Sequence, residues 1–265
     1  MEPVDVLLLA VAFVLGVVIG SFLNVVVYRV PRGQSLVRPA SHCPACRAPV
    51  RARHNVPVLG WLVLRGRCAD CRTRIHVRYP LVELGTGVAF VALALRLGQL
   101  GLRAAVPAFL YFTAIGIALA LIDLEVRRLP NAIVLPSYPV LTLALAGSAW
   151  WQHDWWSLAR AGIGAAALLV FFGAVWFIHP AGMGFGDVKL SGLIGGVLGY
   201  LSWNALVLGA FLGFLLGAVV GVTVIATGRG TRKSALPFGP FMILGALVAL
   251  FLTGPIARLH LGVLG

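Results

Sequence analysis

Long apolar segments bounded by polar or turn-forming residues occupy most of this 265-residue chain. A membrane-spanning helix needs roughly 20 apolar residues, and these segments are too long to be strands of a transmembrane barrel. The pattern predicts eight spanning helices, or seven as the alternative, because one segment is short. They are expected at about 5–28, 80–98, 103–122, 131–151, 157–179, 188–201, 204–227 and 236–257. A turn at 201–204 would separate the sixth from the seventh.

Composition supports a membrane protein. Hydrophobic residues make up 60% of the chain and charged residues only 11%, with a mean hydropathy of +0.97. A soluble globular domain carries roughly a quarter charged residues, so that class is excluded. The predicted fold class is an all-α polytopic membrane protein, with about eight transmembrane helices and a small loop domain between the first two.

The positive charge is concentrated in that loop. The net charge is +13, and residues 29–78 hold eleven arginines against one acid, Asp70. This local excess argues against a nucleic-acid partner. If the spans alternate, one side of the membrane carries 17 Lys and Arg residues and the other carries 4. The positive-inside rule then predicts a cytoplasmic loop, an external N-terminus, and arginines that contact anionic lipid head groups.

The first span is not expected to be a cleavable signal peptide. Acids at Glu2 and Asp5 replace the basic segment that normally precedes such a signal, and no small-residue cleavage site precedes the arginines. We therefore assign three regions. They are a first transmembrane helix over 1–28, a cytoplasmic loop domain over 29–79, and a seven-helix membrane domain over 80–265.

All four cysteines lie in the loop, as two C-x2-C pairs. They are Cys43, Cys46, Cys68 and Cys71. Paired knuckles at this spacing are typical of a zinc ribbon, because each pair can occupy two corners of a tetrahedron. Two disulfides are the alternative, but a cytoplasmic loop is kept reduced. A structural zinc would also supply folding energy that such a small apolar core cannot.

Two acids are predicted at membrane depth. Asp123 closes the third span, and Asp187 opens the sixth after the glycines Gly184 and Gly186. Intramembrane acids mark functional sites by default, since their burial must be offset by a partner or by water. Alternation of the spans places both aspartates at the cytoplasmic side, where they could meet, and the glycines permit close backbone approach.

Two carboxyl groups in one site can divide the work of hydrolysis. One keeps a proton while the other is ionised, so one can donate to a carbonyl oxygen while the other deprotonates water. The residues alone leave a structural alternative open: Asp123 could pair with Arg127, and Asp187 could cap a helix. Nearby, Glu125 is interpreted as a partner of an arginine, while Lys189 could bind substrate carbonyls or lie at the interface.

Several segments together resemble the type IV prepilin peptidase family. They are GSFLNVVVYR (20–29), the two C-x2-C pairs, RYPLVE (78–83), IDLE (122–125), RLPN (128–131), GFGDVKL (184–190) and PFGPF (237–241). A G-x-G-D motif alone would be weak, but these segments occur in the family's order and at similar spacing over residues 16 to 245.

This resemblance implies a function and a set of site residues. Asp123 and Asp187 would be the catalytic pair of an intramembrane aspartyl peptidase, supported by Gly184, Gly186, Lys189 and Glu125. The enzyme would lie in the bacterial inner membrane and cut the leaders of prepilins and pseudopilins at its cytoplasmic face. Bifunctional family members also methylate the new N-terminus with S-adenosylmethionine, and the four cysteines match the zinc set of such members. The sequence shows no Rossmann-type site for that methyl donor, so its binding residues are left unassigned.

Two other hypotheses stay open from the sequence. A proton-coupled transporter could use the two acids as a relay, although few polar residues lie along the spans. A zinc-bearing assembly factor without enzymatic activity is the third possibility.

Overall fold

A computed structural model of the protein describes residues 3–180, 183–228 and 237–263, with side chains from 6 to 253. Over these residues the chain is nearly all helical and contains no β-strand. Most of the basic segment 228–235 lies outside this range, and so does residue 236, where the eighth span was predicted to begin.

Nine helices form within the described residues, and eight of them are long. They are α1 (Pro3–Arg29), the short α2 (Leu59–Val63), α3 (Arg78–Gln99), α4 (Val106–Val126), α5 (Asn131–Gln152), α6 (Trp155–Ile178), α7 (Phe185–Leu201), α8 (Trp203–Ala226) and α9 (Gly239–Val263). The eight long helices match the eight predicted spans, which confirms the fold class. The expected turn between α7 and α8 is also confirmed, and Ser202 alone separates them.

Six long helices are apolar and long enough to cross a membrane: α1, α3, α4, α5, α6 and α8. Helix α7 has only 17 residues, and the fully described part of α9 runs from Gly239 to Thr253. The surfaces of the long helices carry many exposed large apolar side chains, for example Leu143 on α5 and Val170 on α6, each 72% exposed. Such surfaces suit lipid rather than water, so the chain is a multi-pass membrane protein.

The chain divides into two compact units, residues 1–95 and 96–265. In the first unit, α1 packs closely against α3 through glycines. A Cβ atom on Gly16 would lie 2.7 Å from Gly87 Cα, and one on Gly20 would lie 2.7 Å from Glu83 Cα. Small residues of this kind let membrane helices approach closely. The first unit thus joins the first helix, the loop and α3, and the three-region division made from the sequence stays a prediction.

In the second unit, α6 packs against α7 and α8 packs against α9. A Cβ atom on Gly164 would lie 2.6 Å from the Gly195 carbonyl oxygen. On the second pair, a Cβ atom on Gly245 would lie 2.5 Å from the Gly213 nitrogen. These glycine contacts fix α7 and α9, the two helices whose first turns carry residues of the candidate site.

Candidate functional site

The cysteine loop contains a compact set of four sulfur atoms. All four cysteines are free thiols, and their Sγ atoms lie within 4.8 Å of one another. Cys43 Sγ is 3.7 Å from Cys71 Sγ, and Cys46 Sγ is 4.0 Å from Cys68 Sγ. A metal bound by four sulfurs at about 2.3 Å separates them by roughly 3.8 Å, so the cluster has the dimensions of a tetrahedral metal site.

Backbone turns build this site from the two knuckles. The Arg47 N–H donates to the Cys43 carbonyl, and the Arg72 N–H donates to the Cys68 carbonyl. Arg47 and Arg72 have positive φ angles of 59° and 60°, so both knuckles turn in the same way. Isolated β-bridges flank them, pairing His42 with Pro49 and Arg67 with Arg74.

The thiols differ in their ease of ionisation. The Thr73 hydroxyl, 3.2 Å from Cys71 Sγ, stabilises the thiolate and lowers the pKa of Cys71 to about 6. The Ala48 backbone lowers the pKa of Cys46, but the hydrogen bond with Cys71, desolvation and the other two thiols together outweigh it and raise that pKa to about 12. Four thiolates this close repel one another unless a cation lies between them. The donor set therefore fits a metal ion and satisfies the geometry expected from the sequence.

The two aspartates lie at buried helix ends. Asp123 lies in the last turn of α4 and is 5% exposed, and Asp187 is the third residue of α7 and 7% exposed. Their carboxyl groups interact electrostatically, as the alternation of spans predicted. Leu129 lies against the first residues of α7 and α9. Its side chain is 3.0 Å from where a Cβ atom on Gly186 would be and 3.5 Å from where one on Gly239 would be.

A backbone N–H group binds one carboxyl oxygen of Asp123. The Gly239 N–H at the start of α9 donates to Asp123 Oδ2 over 3.2 Å. A Cβ atom at position 239 would lie 2.9 Å from that oxygen, so glycine is the residue that fits there. The sequence contained Gly239 in its PFGPF segment, but nothing local indicated that it would reach an aspartate 116 residues away.

Asp187 accepts a hydrogen bond from the Gly184 N–H at 3.1 Å and so closes the first turn of α7. This bond is the capping contact that formed part of the structural alternative. It also explains why α7 begins at Phe185, three residues before the predicted start at 188. Capping uses Oδ2, and the same carboxyl group also interacts with Asp123, so the two roles are compatible.

The other predicted support residues, Lys189 and Glu125, lie on the same two helices as the aspartates. Lys189 Nζ donates to Asn131 Oδ1 at 2.9 Å and lies 4.8 Å from the centre of the Phe185 ring. This bond ties α7 to the first residue of α5, in a position that an interfacial lysine can occupy. Glu125 is exposed on the last turn of α4, two residues from Asp123 and therefore on a different face of the helix.

Comparison with known proteins adds two family matches. Residues 14–97 match the model described as the bacterial peptidase A24 N-terminal domain, and residues 110–222 match the type IV leader peptidase family. The chain belongs to the type IV leader peptidase family. The two matched segments correspond closely to the two compact units, and the aspartates lie in the second.

Relatives from several bacteria match almost the whole chain. A protein of Pseudomonas putida is 36% identical over 100% of this chain and 97% of its own length. One from Burkholderia pseudomallei (strain 1026b) is 37% identical over 93% of this chain and 86% of its own. One from Bacillus subtilis (strain 168) is 34% identical, covering 91% and 93%. All three are named prepilin leader peptidase/N-methyltransferase.

No solved structure is similar to this chain. The matches give no support to the transporter hypothesis. They agree with the resemblance drawn from the motifs and place the chain among multi-pass inner-membrane enzymes.

Proposed function

We propose that this protein is a prepilin leader peptidase that also methylates the N-terminus it exposes. The observation that carries the peptidase activity is the pair of buried, interacting carboxyl groups on α4 and α7. The relatives' shared name supports the second activity. The substrates are prepilins and pseudopilins, and the membrane itself is the other partner.

The aspartate pair supplies the chemistry of peptide hydrolysis. An ionised carboxyl group removes a proton from water, whose oxygen attacks the scissile carbonyl carbon. The neutral carboxyl group gives its proton to the carbonyl oxygen. The carbon–nitrogen bond then breaks and the leaving nitrogen takes a proton. The protons belong to Asp123 and Asp187 as a pair, so neither residue is assigned one role.

Burial of the pair favours this chemistry. In a site with little water, two nearby carboxyl groups do not both ionise, so one of them keeps a proton for donation. The Gly239 N–H holds one oxygen of Asp123, and the Gly184 N–H holds one oxygen of Asp187. Each backbone donor fixes its side chain and leaves the second carboxyl oxygen for water or substrate.

The four cysteines would hold zinc in a structural role. A closed four-thiolate site has no open position for substrate, and its tetrahedral dimensions suit zinc. The methyl donor would be S-adenosylmethionine, used by the first unit of the chain.

The orientation follows from the charge of the loops. The arginines of the cysteine loop are largely exposed, for example Arg38, Arg53 and Arg65. Exposed arginines near a membrane attract anionic head groups by roughly 1 kcal/mol each. We place the cysteine loop and both aspartates at the cytoplasmic face and the N-terminus outside. No nucleic-acid partner is expected.

The test is mass spectrometry of a prepilin-type peptide incubated with the purified full-length protein in detergent. With S-adenosylmethionine present, we expect a shortened product that carries one added methyl group on its new N-terminus. Cleavage without methylation would restrict the function to the peptidase. Intact peptides from several leaders, with folded protein, would contradict the proposal.

A further inference from the structure

The first unit contains a cavity of about 370 Å³ between the second half of α1 and the cysteine loop. This volume is within the roughly 300–1,000 Å³ of small-molecule sites. Its walls are polar and apolar in about equal parts, and the apolar part includes Phe22 and Val25 from α1 and Val37 from the loop. Ser21, Ser41 and Asn55 add a few polar groups, the combination typical of a pocket that binds one ligand in one orientation.

A buried cation lines this cavity. Arg29, the last residue of α1, is only 8% exposed. Its guanidinium donates to three backbone carbonyls: Ser35 O at 2.9 Å, Leu36 O at 3.4 Å and Pro39 O at 2.7 Å. These partners are neutral, so they orient the guanidinium without cancelling its charge. A buried guanidinium held this way favours a carboxylate, which it can bind through two parallel hydrogen bonds.

The wall opposite α1 is held in a fixed conformation. Val58 has φ 62° and ψ −54°, a γ-turn conformation with positive φ that a β-branched residue rarely adopts. Its N–H donates to the buried carboxylate of Glu83 on α3 over 2.7 Å. Asn55 and Pro57, which line the cavity, lie just before it. The pocket is therefore preorganised on this side, as strained backbone at a binding site often indicates.

We propose that this cavity binds S-adenosylmethionine, with the Arg29 guanidinium paired to the methionyl carboxylate and the apolar walls around the adenosine. The inference rests on the methyl-transfer half of the proposed function. It gives that activity a site within the first unit. Glu83 is then a positioning residue that acts through Val58.

Binding of radiolabelled S-adenosylhomocysteine, the demethylated product, tests this site by equilibrium dialysis of the full-length protein. The first variant, Arg29→Gln, removes the charge. The second, Ser41→Phe, fills the cavity and keeps Arg29, and it covers the case in which the first fails to fold. The controls are Arg32→Gln, an exposed neighbouring arginine that does not line the cavity, and Leu62→Phe, an exposed position on α2.

We expect both cavity variants to weaken binding by roughly tenfold or more, because each loses a charge-assisted contact or the space for the ligand. Both controls should bind like wild type, and metal content should stay unchanged in folded variants. If Arg29→Gln and Ser41→Phe both bind the label normally while the wild-type protein methylates its peptide, this site is overturned and the proposed function stands.

Two further outcomes would also overturn the site. If phosphatidylglycerol displaces the label but excess S-adenosylmethionine does not, the cavity is a lipid head-group site. If wild-type protein cleaves its peptide but neither binds the label nor methylates, the methyl-transfer part of the proposed function fails together with the site.

Discussion

The backbone N–H of Gly239 donates to Asp123 Oδ2 over 3.2 Å and joins residues 116 positions apart in the chain. The first residue of α9 thereby fixes a carboxyl group in the last turn of α4. Any side chain at position 239 would point at the same oxygen. The geometry of the candidate catalytic pair thus depends on a glycine that carries no reactive group.

Gly239→Ala should reduce peptide cleavage without unfolding the protein. The new Cβ atom would lie 2.9 Å from Asp123 Oδ2, so the carboxyl group must move. A displacement of about 1 Å in a catalytic group can lower the rate by roughly 100-fold. The measurement is the initial rate of cleavage of a prepilin-type peptide.

The matched control for this change is Gly162→Ala in the first half of α6. A Cβ atom there meets nothing within 4 Å, so cleavage should stay at the wild-type rate. Equal rates for Gly239→Ala and wild type would show that the position of this Asp123 oxygen does not matter for the reaction.

Cys43→Ser should release the metal of the cysteine loop. Three thiolates and a hydroxyl bind zinc far more weakly than four thiolates, and metal-coupled folding is then lost. We expect zinc content, measured by atomic absorption, to fall from about one per chain to near zero. Limited proteolysis should then cut within residues 30–77 at rates at which wild type stays intact.

His42→Ala is the control for the metal site, because His42 is adjacent to Cys43 but its ring makes a hydrogen bond to the Ala40 carbonyl, at 3.1 Å, and is not one of the four sulfur ligands. Its zinc content should equal that of wild type. A Cys43→Ser protein that keeps its full metal content would show that the four cysteines do not form one site.

Arg160 should stabilise the turn between α7 and α8. Its guanidinium donates to the carbonyls of Gly199, Tyr200 and Leu201, at 2.6, 2.6 and 2.9 Å. These carbonyls lie at the C-terminal end of α7, where no further helical turn supplies N–H donors. Arg160→Met leaves these acceptors without that partner. We expect it to lower the free energy of unfolding by about 2–4 kcal/mol.

Thermal unfolding in detergent measures this effect. The loss corresponds to a decrease in Tm on the order of 5–10 °C. Arg160→Lys keeps the charge but loses the planar fork, so its Tm should lie between those of wild type and Arg160→Met. Arg160→Met protein that melts with wild type would mean that α7 ends stably without this residue.

Much of the architecture follows from local patterns in the sequence. Each long apolar segment must become a helix in lipid, since every backbone polar group needs a partner within the segment. The cysteine cluster follows equally directly, because two C-x2-C knuckles have few other ways to satisfy four thiols. Alternation of the spans predicted Asp123 and Asp187 at the same side of the membrane, where they could meet, and their carboxyl groups do interact.

The contacts that complete the sites could not be predicted in this way. The bond from Gly239 to Asp123, the bond from Val58 to Glu83 and the carbonyl partners of Arg160 all join different elements. Their partners depend on the rotation and depth of each helix. Hydropathy fixes neither of these, because a segment that is apolar on every face has no preferred orientation. The start of α7 has a different cause: the local bond from Gly184 N–H to Asp187 closes a first turn that hydropathy does not mark.

Cleavage rates of aspartate variants show whether Asp123 and Asp187 carry out the hydrolysis. Asp123→Asn and Asp187→Asn would each be purified in detergent and incubated with the prepilin-type peptide, with intact mass as the readout. Asp154→Asn is the matched control, since Asp154 caps α6 through Ser157 at a different helix end. We predict rates lowered by roughly 100- to 10,000-fold or more for the first two and an unchanged rate for the control. Wild-type cleavage by either folded variant of the pair would remove that aspartate from the mechanism and contradict the account.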